Sequence, residues 1–184
     1  QGTATVAGST EGSYGMGKNA GLSDVWVVRL GPDGTELSSL QLGSDQADFA
    51  NAVATDSNQV SYVVGATGGV LPTGSALGLQ DAFALSLGAD GKLGWVRHAG
   101  SSGTDELVTA TADGSGGIWA AGYTKGTLAG QVSMGGQDCM LLRFAADGSR
   151  TVNRQIGTAY LDSIQSLAWI GGKLYSVGST RGAF

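Results

Sequence analysis

The sequence contains one cysteine, one histidine and two prolines among 184 residues, and only 14% of it is charged. The lone Cys139 excludes an internal disulfide framework and a multi-cysteine zinc site, and is neutral about whether the surroundings oxidise thiols. His98, the only histidine, excludes a general base or metal centre that needs two. With so few prolines and no three-residue glycine period, a collagen helix is excluded as well. Apolar runs such as Val25 to Leu30 fall far short of the ~20 residues a membrane-spanning helix needs, so membrane insertion is not expected. Gln1 does not open a charged-then-apolar export signal. Basic runs are missing too. The formal charge is -5 and the isoelectric point is near 4.6, so nucleic acid is not an expected partner.

Glycine is abundant instead: 33 residues, against a usual share of about 7%. With 41% hydrophobic residues the chain can sustain a core, which argues against disorder. The length suits one domain of ordinary size or a piece of something larger. An internal repeat decides between architectures. Gly8-Ser9-Thr10, Gly65-Ala66-Thr67, Gly122-Tyr123-Thr124 and Gly178-Ser179-Thr180 recur at steps of 57, 57 and 56 residues. Asp24, Asp81 and Asp138 keep the 57-residue step, as do Asp33, Asp90 and Asp147, then Gly43, Gly100 and Gly157, then Asp48, Asp105 and Asp162. The one-residue slip falls at Gly171-Gly172, in a turn, where a deletion is tolerated.

Within each period the apolar pattern alternates with period two, so the elements are strands. One column comprises Asn51 to Asp56, Val108 to Asp113 and Gln165 to Ile170. The next comprises Val60 to Ala66, Ile118 to Tyr123 and Leu174 to Ser179. A third, Val25 to Leu30, Ala82 to Leu87 and Cys139 to Phe144, carries Trp26, Phe83 and Met140 at equivalent places. A fourth follows the Asp-Gly turns at Asp33, Asp90 and Asp147, which supply the positive φ of a tight hairpin. A four-stranded antiparallel sheet cannot hide both apolar faces alone, and the period is near those of known propeller repeats. The expected fold is therefore all-β: a β-propeller segment of four-stranded blades, about three blades of a larger ring. Small residues at Ala52, Ala54, Ala110, Ala120, Ala121 and Ala168 suit the narrow part of a blade. Immunoglobulin-like domains of about 100 residues do not match the period. The chain reads as one partial domain, 1–184, with repeat boundaries near 1–48, 49–105, 106–162 and 163–184. It holds three periods plus one surplus strand, fewer than the about four to eight blades that close a ring. It is thus expected to be an excerpt whose edges another segment covers, with a two-chain ring as the lesser alternative.

Residues 120–149, AAGYTKGTLAGQVSMGGQDCMLLRFAADGS, together with 63–106 and 24–34, resemble the bacterial β-propeller repeat family known as SBBP repeats. The shared pattern is a Gly-x-Thr strand end, a Gly-rich loop, an Asp-opened strand, an Asp-Gly turn, a Trp-bearing outer strand and a Gly-Ser/Thr-x-x-Asp loop. Departures are the outer tryptophan, present only as Trp95 with Ser38 and Val152 in its place, and Arg29, Ser86 and Arg143 where lysine is common. The resemblance implies a bacterial envelope or secreted context, often within long multidomain proteins, and brings no shared catalytic set.

Several residues invite a chemical role. Gly12 to Asn19 nearly spells a phosphate-binding loop, but Asn19 replaces the magnesium-holding Ser or Thr and no amphipathic helix follows. His98 shares its column with Gln41 and Gln155, as a polar face on an outer strand would, and no nucleophile elbow accompanies it. Cys139 aligns with Val25 and Ala82 and reads as a small buried hydrophobe. Asp33, Asp90 and Asp147 are turn residues. Asp24, Asp81 and Asp138, at a strand start, and Asp48, Asp105 and Asp162, before the first strand, recur as loop-fixing carboxylates do. Calcium held by these six is the sharper but lesser alternative, since no Asp-x-Asp-x-Asp loop is present. Trp26, Trp95, Trp119 and Trp169 occupy four different columns, as packing residues do. The variable loops Glu11 to Ser23, Gly68 to Gln80 and Lys125 to Gln137 are left for recognition.

These observations predict no catalytic residue and no cofactor in the chain. The expected function is a non-catalytic, extracytoplasmic propeller module, a protein–protein interaction scaffold in a bacterial cell-surface or secreted assembly. Its partners would be the remaining blades or another protein chain. Glycan binding, as a lectin-like propeller or adhesin, is the alternative, and an enzyme with its site in other blades comes third.

Overall fold

The computed structural model describes residues 2–183, and among them it contains thirteen strands and no helix. They are β1 (Ala4–Thr10), β2 (Asp24–Leu30), β3 (Glu36–Leu42), β4 (Asp48–Thr55), β5 (Ser61–Thr67), β6 (Asp81–Leu87), β7 (Leu93–Ala99), β8 (Asp105–Ala112), β9 (Ile118–Thr124), β10 (Asp138–Phe144), β11 (Arg150–Ile156), β12 (Asp162–Ile170) and β13 (Lys173–Thr180). They form four antiparallel sheets in chain order: β1-β2-β3, β4-β5-β6-β7, β8-β9-β10-β11 and β12-β13. Every strand pairs with its sequence neighbour in the sheet, through tight turns or, at β1–β2, β5–β6 and β9–β10, through the long loops. The two complete sheets have equivalent registers: Gly65 faces Phe83 as Gly122 faces Met140, and Asp48 faces Thr67 as Asp105 faces Thr124.

The opening strands differ from the sequence reading. Asp48, Asp105 and Asp162 do not precede these strands but begin them. A bulge hides this from the alternation pattern. The register slips between Ala50 and Ala52, Leu107 and Thr109, and Ile164 and Ser166, leaving Asn51, Val108 and Gln165 as extra residues. One extra residue reverses the in-out alternation, so the residues before it fall out of phase with the rest of the strand. Asn51 uses the resulting freedom to reach the next sheet, where its amide donates to Glu106 Oε1 at 2.8 Å and to the Leu107 carbonyl at 2.9 Å. The 56-residue step also has a structural counterpart. In β12–β13 the turn shrinks to Gly171-Gly172, with φ of 57° and 76°, joining Ile170 directly to its partner Lys173.

Packing between sheets supplies the core. Val25 and Val27 of the first sheet pack with Val63, Phe83, Leu85 and Val96 of the second. The opposite face of the second sheet, Tyr62, Val64, Ala82 and Ala84, packs with Leu107, Ile118, Met140, Leu142 and Phe144 of the third. Ala121 and Cys139 of the third sheet meet Ile164 and Leu167 of the last. Burial of both faces makes β5 and β6 buried at every residue, whereas β13 is exposed along nearly its whole length. The backbones of β4, β8 and β12 approach one another in succession. Between β7 and the β10–β11 turn, by contrast, long side chains form the bridge: Trp95 Nε1 donates to the Ala146 carbonyl at 3.0 Å and Arg97 Nε to the Gly148 carbonyl at 3.1 Å. Neighbouring sheets therefore lie closest at their opening strands.

Phe83 is fully buried between the first two sheets. Phe83→Ala is expected to destabilise the chain by about 3–5 kcal/mol, whereas Leu37→Ala, on an exposed stretch of β3, should stay within about 0.5 kcal/mol. Urea unfolding curves of the two variants check this.

Candidate interaction surface

Each 57-residue step of the sequence brings two aspartates to one end of the sheets, at the junction between one sheet and the next. A single parallel bridge spans each junction: Ser23 with Ala47, Gln80 with Thr104, and Gln137 with Leu161. The backbone N–H of the second aspartate donates across it, from Asp48 to the Ser23 carbonyl at 2.7 Å, Asp105 to Gln80 at 2.8 Å and Asp162 to Gln137 at 2.9 Å. The carboxylate of the same residue folds back on the loop before it. Asp48 accepts from Ser44 N at 2.6 Å, Asp105 from Ser101 N at 2.7 Å and Asp162 from Thr158 N at 2.6 Å, and each also accepts from that residue's hydroxyl. The side chain thus fixes the loop while the main chain fixes the neighbouring sheet.

The first aspartates close the long loops. Asp24 Oδ2 accepts from Ala20 N at 2.9 Å, Asp81 Oδ2 from Leu77 N at 2.7 Å and Asp138 Oδ2 from Met134 N at 2.9 Å. The outer strand then ties the loop down a second time. Gln41 donates to Asp24 at 2.8 Å and accepts from Tyr14 N at 2.7 Å, while Gln155 donates to Asp138 at 2.6 Å and accepts from Leu128 N at 2.9 Å. His98 takes the same place with an imidazole: its Nε2 accepts from Leu71 N at 3.2 Å, while its Nδ1 lies 3.7 Å from Asp81 Oδ2, too far for the hydrogen bond the glutamines make. This corrects the reading of that column as a polar outer face, because the His98 side chain is only 3% exposed. Two polar atoms at fixed separation, one donating and one accepting, are what this position requires, and both residue types supply them.

The free Oδ1 atoms of Asp24 and Asp138 make no hydrogen bond. They lie against glycine: a Cβ on Gly43 or Gly157 would stand 2.0 Å from that oxygen. This close approach explains the recurring glycine, whose Cα–H offers the oxygen a weak contact. Among the described residues, no three His, Cys, Asp or Glu side chains gather as a metal site would need. The six aspartates named as calcium candidates fall instead into three junctions of two. Burial pushes the Asp105 carboxyl up, and the Asp81 charge adds to this despite hydrogen bonds from Thr124 and Ser101. At Asp162, burial, which also raises, is outweighed by hydrogen bonds from Thr180 and Thr158, and the carboxyl is held below its ordinary value. The last junction lacks the covering sheet that surrounds Asp105.

Other singled-out residues also have structural partners. Asp33, Asp90 and Asp147 accept from the N–H two residues on, at 3.1, 3.1 and 2.8 Å, before glycines with φ near 80°. Asp113 meets Arg143 at 2.5 Å and accepts from Ser115 and Gly117 N–H. Burial raises its carboxyl, but those hydrogen bonds and the guanidinium bring it below the ordinary value. Burial and the nearby Asp162 and Asp138 push the Cys139 thiol up to about 11, so it is protonated at neutral pH. The Gly12 to Asn19 segment forms a turn closed by Gly17 N on the Tyr14 carbonyl at 2.9 Å, with Tyr14 stacked on Trp26.

The loops that these contacts hold in place carry exposed apolar side chains. Met16 and Leu22 stand out from the first long loop, Val70, Leu77 and Leu79 from the second, and Val132 and Met134 from the third; Tyr160 and Leu161 lie beside them. Met16 is fully exposed and Leu79 is 79% exposed. Sequence reasoning located these loops by their variability but missed their shared apolar character, for which the signal was Leu, Val and Met inside Gly-rich stretches that form no strand. No protein-family model matches the chain, and no curated protein matches it.

His98→Gln should leave stability within about 1 kcal/mol, because glutamine satisfies the same two partners at the other junctions, whereas His98→Leu strands the Leu71 N–H and should cost about 1–3 kcal/mol. Thermal unfolding distinguishes the two. The lowered Asp113 carboxyl contributes stability above the ordinary aspartate range near 3.8. That contribution disappears as pH falls through its lower folded value. In acid titrations followed by circular dichroism, Asp113→Asn should therefore lose less stability between pH 5 and about 2 than the unaltered chain.

Proposed function

We propose that the chain is an arc of a β-propeller of SBBP-type repeats and serves as a non-catalytic scaffold, outside the cytoplasm, in a bacterial cell-surface or secreted assembly. The observation that carries this reading is the exposure of apolar side chains on the long loop of each of three successive sheets, from Met16 to Met134. Exposed apolar groups on loops held by a rigid frame are features of protein-contact surfaces. The radial arrangement is supported by sheets that approach most closely at their opening strands and by faces that only another sheet of the same kind would bury. The carboxylates and the single histidine are engaged in holding loops, which favours a scaffold over chemistry at these positions.

The experiment is in-cell cross-linking in the producing bacterium, comparing the unaltered protein with a variant carrying Met16→Ser, Leu22→Ser, Leu79→Ser, Val132→Ser and Met134→Ser. The expected outcome is an envelope protein cross-linked to the former and lost from the latter at equal abundance. A partner set indifferent to the five substitutions would overturn the reading. So would glycan-array binding that those substitutions abolish, which would install the lectin alternative.

A further inference from the structure

The long loop of each of three successive sheets is held by one side chain of an outer strand. Gln41, His98 and Gln155 stand 57 residues apart and accept from the backbone N–H of Tyr14, Leu71 and Leu128. A glutamine amide keeps its acceptor at every pH. An imidazole loses its own on taking a second proton, and histidine side chains in general change charge between about pH 5 and 8. The second loop differs in another respect. It turns at Leu71–Gly74, closed by Gly74 N on the Leu71 carbonyl at 3.1 Å, and the third loop turns at Leu128–Gln131, closed by Gln131 N on the Leu128 carbonyl at 2.9 Å. The left-handed residue of the third turn is Gly130, with φ of 72°, but that of the second is Thr73, with φ of 66°. A β-branched residue resists that conformation. The second turn therefore depends more heavily on its anchors, the buried Leu71 and the imidazole on which the turn lies. That contact is close: a Cβ on Gly74 would stand 2.1 Å from His98 Cδ2.

We propose that His98 is an acid-operated latch, holding the Leu71–Gly74 turn while its imidazole is neutral and releasing it when the imidazole is protonated. Because Nε2 accepts from Leu71 N at 3.2 Å, the neutral ring carries its proton on Nδ1. A second proton has only Nε2 to occupy, and there it points at the Leu71 N–H, donor against donor. The side chain is 3% exposed, so water cannot replace the lost contact while the turn stays in place. Charges around the ring come from few places. Asp81 on β6, with Oδ2 3.7 Å from Nδ1 and Oδ1 without a partner, is the counter-charge for the buried imidazolium. Beyond it stands Asp105 at the start of β8, whose carboxyl is pushed up by burial and by the Asp81 charge. Arg97, next to His98 on β7, is engaged by the Gly148 and Asp147 carbonyls. Residues 68–80 contain no ionisable side chain. From the first sheet, Asp45 faces Gly69 at the start of the loop, and the side chains in the cluster that holds Leu71 are apolar. Asp81 attracts the imidazolium whether the turn is closed or open, so the Leu71 contact separates the two states, and the open one binds the extra proton more tightly. Acid therefore shifts the equilibrium toward opening. Asp81 Oδ2 still accepts from Leu77 N at 2.7 Å, which confines release to the first half of the loop. Leu71, buried in the closed form, then joins the exposed Val70 at the surface. The latch belongs to the chain itself, whatever its loops bind.

Hydrogen exchange of the purified chain followed by NMR tests the latch, with each amide's protection expressed against its intrinsic rate at the same pH. Protection of the Leu71 amide should fall about tenfold or more between about pH 8 and pH 5, while that of Leu128, held by Gln155, changes less than about twofold. With His98→Gln, Leu71 protection should lose its pH dependence. Imidazole nitrogen shifts should place the His98 proton on Nδ1 at about pH 8. A Leu71 amide no more acid-sensitive than Leu128, a fall that persists with His98→Gln, or a proton on Nε2 of the neutral ring would overturn the proposal. None of these measurements involves a partner, so the latch and the scaffold role can each fail without the other.

Discussion

The two complete sheets in this protein are apolar on both faces, and neighbouring sheets cover them. An isolated four-stranded sheet of this composition would leave Val63, Phe83 and Leu85 in water on one side and Tyr62, Val64 and Ala84 on the other. Burying a side chain of that size contributes about 1.5–3 kcal/mol, so no sheet is stable by itself and stability accumulates with each neighbour added. Repeat architectures share this property, and it explains why burial is complete in the middle of the chain and falls away toward β13.

Apolar packing is indifferent to register, so something else must set it. The aspartate junctions do this. At each one a main-chain hydrogen bond crosses between sheets, and two carboxylates hold the loops that flank it. The same position is filled three times with different side chains, glutamine twice and histidine once, and each accepts from a loop N–H. Polar groups buried in this way are costly unless partnered, which makes the arrangement demanding about geometry and therefore specific. It also leaves the long loops free to vary in side chain, since the aspartates hold them through backbone N–H groups.

Much of this is legible in the sequence. Alternation located the strands, and the Asp-Gly turns located the hairpins, because both depend on local residue chemistry. Bulges at Asn51, Val108 and Gln165 were not legible, since an inserted residue looks like a break in the pattern and moves the apparent start of the strand past Asp48, Asp105 and Asp162. The role of His98 was hidden for a different reason. Its partners, Leu71 N–H and Asp81, are 27 and 17 residues away in sequence and meet only after the sheet forms. The recurring carboxylates were correctly expected to fix loops; that one of each pair also joins two sheets depends on tertiary geometry, which no spacing encodes.

The proposed scaffold role draws on the same constraint: the sheets are covered by sheets, buried aspartates join them, and the long loops carry exposed apolar side chains. Hydrogen–deuterium exchange of the purified chain, read by mass spectrometry, tests the serial packing most directly. The account predicts slowest exchange in β5, β6, β9 and β10, protected amides at Asp48 and Asp105, and protection declining stepwise to β13. Equal protection of β13 and β5, or four sheets exchanging independently of one another, would contradict it.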